Sequence, residues 1–233
     1  MICAPSMRHN LSGRFLTMIE FEQVSKRYPG GLEALRQVNF SLKKGEMAFI
    51  TGHSGAGKST LLKLIARLET PSSGQLIVNG IRLNLLKKRE IPHYRSSLGI
   101  TFQSPNLLND RSVFDNVALP LQIQGIQPAM IAKRVHAALD MVGLLDKEKM
   151  QPIHLSGGEQ QRIGIARAVV HKPALLLADE PTGNLDPSLS AEIMKLFAQF
   201  NQVGVSILIA THDLALIAGM KHRIVMLKEG RVC

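Results

Sequence analysis

Two periods run through the pattern of apolar and polar positions along this chain. IEFEQV (19–24) alternates as a half-buried strand does, and short strand signals continue from Ile19 to Thr51, broken by a Pro-Gly-Gly turn at 29–31. MAFIT (47–51) is a continuous apolar run, the mark of a strand covered on both faces. Beyond a glycine-rich stretch, Leu61, Leu62, Leu64, Ile65 and Leu68 fall at helical spacing. Pro71-Ser72-Ser73-Gly74 turns the chain into QLIVNG, another strand. From about Leu85 to His154 the pattern is helical, and Gly143 stands where it stops an apolar stripe of Ile131, Val135, Ala138, Leu139 and Val142. LSGGEQQR (155–162) opens a helix that runs through Val170. ALLLAD (174–179) and VSILIA (205–210) read as buried strands, with an amphipathic helix over roughly 188–200 between them. RIVMLKEGRV closes as a hairpin turning at Glu229-Gly230.

Strands alternating with helices predict an α/β fold with a mainly parallel sheet covered on both faces. The helical stretch at about 85–155 reads as an insertion into that layer. At 233 residues the chain fits one domain with an inserted subdomain, spanning 18–233. The first 17 residues hold Arg8 and Arg14 without an acid and are expected to be a poorly ordered extension.

Composition narrows the picture slightly. Hydrophobic residues make up 45% of the chain, enough for a full core, yet its apolar runs fall far short of the ~20 residues of a membrane span. The chain is therefore expected to be soluble by itself. Cys3 and Cys233 sit near opposite ends and suggest neither a disulfide framework nor a metal cluster. The net charge of +10 suits nucleic acid, an anionic membrane or a nucleotide. Few aromatics interleave the basic residues, so no nucleic-acid partner is expected. The histidines at 9, 93, 136, 154, 171 and 222 lack metal-ligand spacing and are expected on the surface.

The chemistry concentrates in three stretches. Gly52, Gly55, Gly57, Lys58 and Ser59 satisfy G-x-x-x-x-G-K-[ST] between a strand and a helix. In such a loop, from Gly52 and His53 through Ser54, Gly55, Ala56, Gly57, Lys58 and Ser59 to Thr60, backbone N–H groups wrap a triphosphate. Lys58 reaches its β and γ oxygens, and the Ser59 hydroxyl completes Mg²⁺ coordination. Asp179 ends the ALLLAD strand at the sheet edge where α/β ligands sit, beside that Mg²⁺, and Glu180 follows, placed to orient or deprotonate a water. The third stretch is LSGGEQQR, a second anion-gripping helix start in a chain that already has one.

Taken with DEPTGNLD (179–186) and ATHD (210–213), these stretches resemble the ATP-binding cassette (ABC) family over residues 18–230. The resemblance implies a P-loop ATPase with an N-terminal antiparallel β subdomain and an inserted α-helical one. It implies that Tyr28 stacks on adenine, that Gln103 senses the Mg²⁺ and the attacking water, that His212 contacts the γ-phosphate and that Asp186 lies at a subunit interface. Ser156, Gly157, Gly158 and Glu159 are then expected to bind the γ-phosphate held by a second copy, two ATP being sandwiched in a head-to-tail dimer.

The resemblance also implies a separate integral membrane partner, docked on the segment after Gln103, where Leu107, Leu108 and Phe114 offer apolar contacts beside Asp110 and Arg111. The protein is expected in the cytoplasm, on the inner face of the membrane. The run DRSVFDNVALPL (110–121) is most similar to the family's cell-division branch, which regulates septal wall hydrolysis. ATPases of lipoprotein-release and macrolide-efflux systems, and soluble ABC ATPases acting on ribosomes or nucleic acid, stand as alternatives.

Overall fold

The computed structural model describes residues 16–233. The expectation for residues 1–17 therefore falls outside the described residues except at its end, where Thr17 already opens the first strand.

Four strands form an antiparallel sheet: β1 (Thr17–Arg27), β2 (Glu33–Lys43), β4 (Ser73–Val78) and β5 (Ile81–Arg82), ordered β2-β1-β4-β5. Ile19 lies opposite Leu42 and Val78, and Phe21 opposite Phe40 and Leu76, so the inward positions of the alternation meet across the sheet. A second sheet holds β3 (Met47–Thr51), β6 (Leu98–Thr101), β7 (Leu175–Asp179), β8 (Ser206–Ala210), β9 (Arg223–Lys228) and β10 (Arg231–Val232). Its order is β10-β9-β3-β8-β7-β6, and every pair is parallel except the β9–β10 hairpin.

Strand period two divides this second sheet between two cores. Ala48, Ile50, Leu175, Leu177, Leu208 and Ala210 face the antiparallel sheet and α1 (Lys58–Ile65). Met47, Phe49, Leu176, Ala178, Ile207 and Ile209 face the other way, toward α6 (Pro187–Gln202) and α7 (Leu214–Ala218). Both faces are dry, which is why these strands read as unbroken apolar runs.

The short α2 (Ile91–Ser96) precedes β6, and its buried Tyr94 donates to the Ile65 carbonyl at the end of α1. A third core then joins α3 (Val113–Ile123), α4 (Pro128–Met141) and α5 (Gly157–Val169). Helix α5 is the shared wall. Its Ile165, Ala168 and Val169 pack on the sheet, while Ile163 and Ala166 and the following Val170 pack on the other helices.

Two local readings are corrected. The stretch read as helical from Leu85 to His154 contains β6, the edge strand of the parallel sheet, paired Leu98–Leu175 to Thr101–Ala178. Four residues with two aliphatics, lying between helices, carry too little periodic signal for a strand to be legible. Leu68 lies beyond α1 and is exposed, because the chain turns left-handed at Arg67 (φ 56°) and stops the helix at Ile65.

Candidate active site

The phosphate loop joins the end of β3 to the start of α1, and that start is left open. Its N-cap is Gly57, at φ 108°, with no side-chain cap and no acidic residue in the first turn. The first N–H groups of α1 are thus free of any side-chain acceptor and add to the positive end of the helix dipole. No larger residue replaces Gly57 easily, since a Cβ there would lie 2.5 Å from the Ala34 carbonyl oxygen.

Lys58 is buried and folds back along the loop, donating to the carbonyls of Gly52 (2.7 Å) and His53 (3.4 Å). It also lies 3.5 Å from Glu180 Oε1. The other Glu180 oxygen is 2.8 Å from His212 Nδ1. One carboxylate therefore bridges the loop lysine and the histidine after β8. Glu180 sits at φ 48°, a left-handed conformation costly for a residue with a Cβ, held by its N–H donating to the Ala210 carbonyl at 2.9 Å.

Asp179, at the end of β7, accepts from the Ser59 hydroxyl at 3.1 Å. Burial holds its carboxyl above the usual carboxylate range, countered by the Ser59 bond and reinforced by the neighbouring Glu180 charge.

These residues open on a cleft of about 880 Å³, lined by Tyr28, His53 to Thr60, Gln103, Glu180 and His212. The half-buried Tyr28 stands at its rim, its hydroxyl 3.4 Å from Thr60 Oγ1. Gln103 donates weakly to the Asn184 side chain (3.4 Å) and also lines a second cleft of about 460 Å³, with Gly157, Gln160 and Gln161.

Ser156, Gly157 and Gly158 do not line the phosphate-loop cleft. They form a closed helix start of their own. Ser156 caps α5 by accepting from the Glu159 N–H (3.3 Å), and the Glu159 carboxylate accepts from the Ser156 N–H (2.8 Å) and hydroxyl (2.9 Å), a capping box. Lys147 pairs with the remaining Glu159 oxygen, and its hydrogen bond is the main cause that holds this carboxyl down at about 2. Asp186 caps α6, accepting from the N–H groups of Ser188 (2.9 Å) and Leu189 (3.1 Å).

Sequence reading missed the residues that join these parts. Gln161, buried inside α5, donates to the Phe102 carbonyl (3.2 Å), and Arg167 donates to those of Pro105 and Asn106. The loop carrying Gln103 is thereby tied to the helix carrying Ser156. The fully buried Asn116 donates to the carbonyls of Leu108 and Ser112 and accepts from the Leu108 N–H, fixing the segment that holds Leu107. A polar residue at an inward helical position was the available signal for both Gln161 and Asn116. Leu107 and Phe114 pack partly on the third core, while Leu108 is exposed. The surface expectation also fails for His171, which is half-buried; burial lowers its basicity, favouring the neutral ring, against a weaker opposing effect of a backbone hydrogen bond at Leu98. His9 lies outside the described residues.

A family model described as ABC transporter matches residues 35–183. The chain is 59% identical over 215 residues to the cell division ATP-binding protein FtsE of Escherichia coli (strain K12), covering 92% of this chain and 97% of that protein. To FtsE of Bacillus subtilis (strain 168) it is 44% identical, over 91% of this chain and 93% of the relative. Among solved structures, a dimeric post-hydrolysis state of an ATP-binding cassette bound to ADP and Pi superposes with a TM-score of 0.85 at 36% identity, over 92% of this chain and 96% of that one.

Proposed function

Because the chain belongs to the ABC transporter family and is an ABC ATPase of the FtsE type, we propose that two copies close around two ATP and use their hydrolysis to drive an FtsX-like membrane protein. The observation that carries this is the divided site. The open helix start at Gly57 and the groups Lys58, Glu180 and His212 share one cleft, while Ser156 and its glycines stand apart from it. A second copy in the head-to-tail arrangement supplies what the cleft lacks.

Tyr28 takes the adenine at the rim, and the loop from Gly52 to Thr60 takes the phosphates. The contacts of Lys58 with two loop carbonyls and Glu180 give way to the β and γ oxygens. Mg²⁺ fits the residues present: Ser59 Oγ and Asp179 Oδ1 are hard oxygen donors 3.1 Å apart, and Gln103 lines the same cleft as Ser59. Held there with the phosphates, it would neutralise developing charge on the transferred group. Glu180 orients the attacking water and accepts its proton as the new O–P bond forms and the bond to the leaving ADP oxygen breaks. His212, on the other side of Glu180, holds that carboxylate in place and meets the γ-phosphate.

The magnitudes allow a switch. One helix terminus contributes only about 0.3–1 kcal/mol to an anion. Two or three charge-assisted bonds from Ser156 and its neighbours contribute roughly 3–9 kcal/mol per site. Reversing a two-state population from 1:99 to 99:1 takes about 5.5 kcal/mol. Loss of the γ-phosphate is therefore enough to open the pair.

Among the described residues no helix is long and apolar enough to cross a membrane, so work on the membrane passes through a partner. Its docking surface is the segment after Gln103, around Leu108 and Phe114, on the inner face of the cell membrane. The tie from that segment through Arg167 and Gln161 to α5 gives docking a mechanical route to the composite site. The 59% identity to a cell-division protein favours this reading over lipoprotein release or macrolide efflux.

The test is Glu180→Gln. Phosphate release is expected to fall by about 10²–10⁴-fold, the range for a lost general base, while Mg-ATP drives the protein to a dimer on size exclusion with light scattering. A variant that binds ATP yet stays monomeric at every concentration sinks the two-copy reading.

A further inference from the structure

Resting on the two-copy reading above, we propose that Lys147 is a positioning residue of the composite site: it neutralises the Glu159 carboxylate that caps Ser156, so that this helix tip can receive the terminal phosphate held by another copy.

The tip of α5 carries an apparent contradiction. It is offered to a highly charged anion, yet its third residue is a glutamate whose carboxylate sits within hydrogen-bonding distance of the very hydroxyl that must reach the phosphate, Ser156 Oγ at 2.9 Å. A helix N-terminus carries about +0.5 of a charge. Glu159 adds −1, which alone would leave the tip near −0.5 and repel the incoming phosphate. Lys147 adds +1 and restores about +0.5.

The geometry suits that task. Glu159 divides its two oxygens, one for the backbone N–H and hydroxyl of Ser156 and the other for the Lys147 ammonium. Ser156 has one hydroxyl hydrogen, given to Glu159 in this structure. An ammonium on the far oxygen draws charge from the near one and loosens its hold on that hydrogen. The carboxyl is held at about 2, so the pair stays ionised at any working pH.

Lys147 reaches α5 from a separate element, the 3-10 turn Leu145–Lys147 that follows α4. Its neighbour Glu148 pairs with His136 (2.9 Å) and accepts through its carbonyl from the Phe114 N–H (2.8 Å). The charge balance at the tip is thus set by a turn adjoining the proposed docking surface.

The experiment is run in the Glu180→Gln background, reading ATP-driven dimerisation by sedimentation and single-copy ATP affinity at dilute protein. Lys147→Ala is expected to raise the ATP or protein needed for dimerisation by at least about tenfold, since a like charge enters at both sites, and to leave single-copy affinity unchanged. Lys147→Arg should keep dimerisation. The double variant Lys147→Ala/Glu159→Gln should restore it, because removing the negative charge removes the need for the positive one. A merely structural bridge would cost single-copy affinity along with dimerisation. Lys147→Ala dimerising like its parent, or failing to recover in the double variant, overturns the proposal. A Glu180→Gln parent that never dimerises overturns the two-copy reading itself, and this proposal with it.

Discussion

The helix starts at Gly57 and at Ser156 both take an anion in the proposed function, and they differ in how their own polar groups are satisfied. The first is open, with a glycine N-cap, no acidic first turn, and a lysine that closes on its own loop. The second is capped, the Ser156 N–H and hydroxyl answered by the Glu159 carboxylate, the Glu159 N–H by the Ser156 oxygen, and the carboxylate charge by Lys147. In the proposed function an open cradle binds whenever a triphosphate arrives, whereas a capped tip must be drawn off its own cap. The contrast separates the single-copy half of the site from the conditional half, and it explains how binding and pairing can be distinct events.

The strongest way to break that contrast is through the open start. Lys58→Ala should lower single-copy ATP affinity by roughly ten- to hundredfold, the loss of a charge-assisted bond of about 1.5–3 kcal/mol, as read by calorimetry. Unchanged affinity would mean the cradle does not depend on its lysine.

A sharper cut comes from the glycines. Gly57 is pinned by its own fold, but a Cβ on Gly157 would meet nothing within 4 Å. Gly157→Ala should therefore leave thermal stability intact and single-copy ATP binding unaltered, yet weaken ATP-driven dimerisation of the Glu180→Gln form severalfold, because only an approaching phosphate needs that space. Equal dimerisation would erase the distinction between the two starts.

The smallest effect tests the cap itself. The Glu159 carboxyl is lowered from 4.5 in the unfolded chain to about 2, chiefly by Lys147 and then by Ser156. A lowered folded value contributes stability that is full above 4.5 and is lost as pH falls through about 2. The melting-temperature gap between the parent and Glu159→Gln should narrow as pH is brought from 6 toward 3. A gap independent of pH would show that the charged cap adds nothing.

Much of this architecture was legible in the chain because its signals are local. The all-buried β3, β7 and β8 announced themselves as apolar runs, and the hairpin at Glu229-Gly230 as a turn between alternating segments. The phosphate loop was readable since strand, glycines, lysine and helix are contiguous. What escaped was held by partners distant in sequence. The strand β6 owes its existence to pairing with β7, more than seventy residues later, and Gln161 matters through a carbonyl 59 residues away. The half-buried setting of His171 was invisible for the same reason.

The sequence by itself determined the elements, the glycine loop between strand and helix and the serine-glycine tip, since each depends on periodicity or on residues adjacent along the backbone. Only the tertiary structure decided that Glu180 bridges Lys58 and His212, that α5 holds the Gln103 loop, and that Lys147 answers Glu159. Those are meetings of side chains from separate elements, and Coulomb and hydrogen-bond energies depend on distances in space, which folding alone sets.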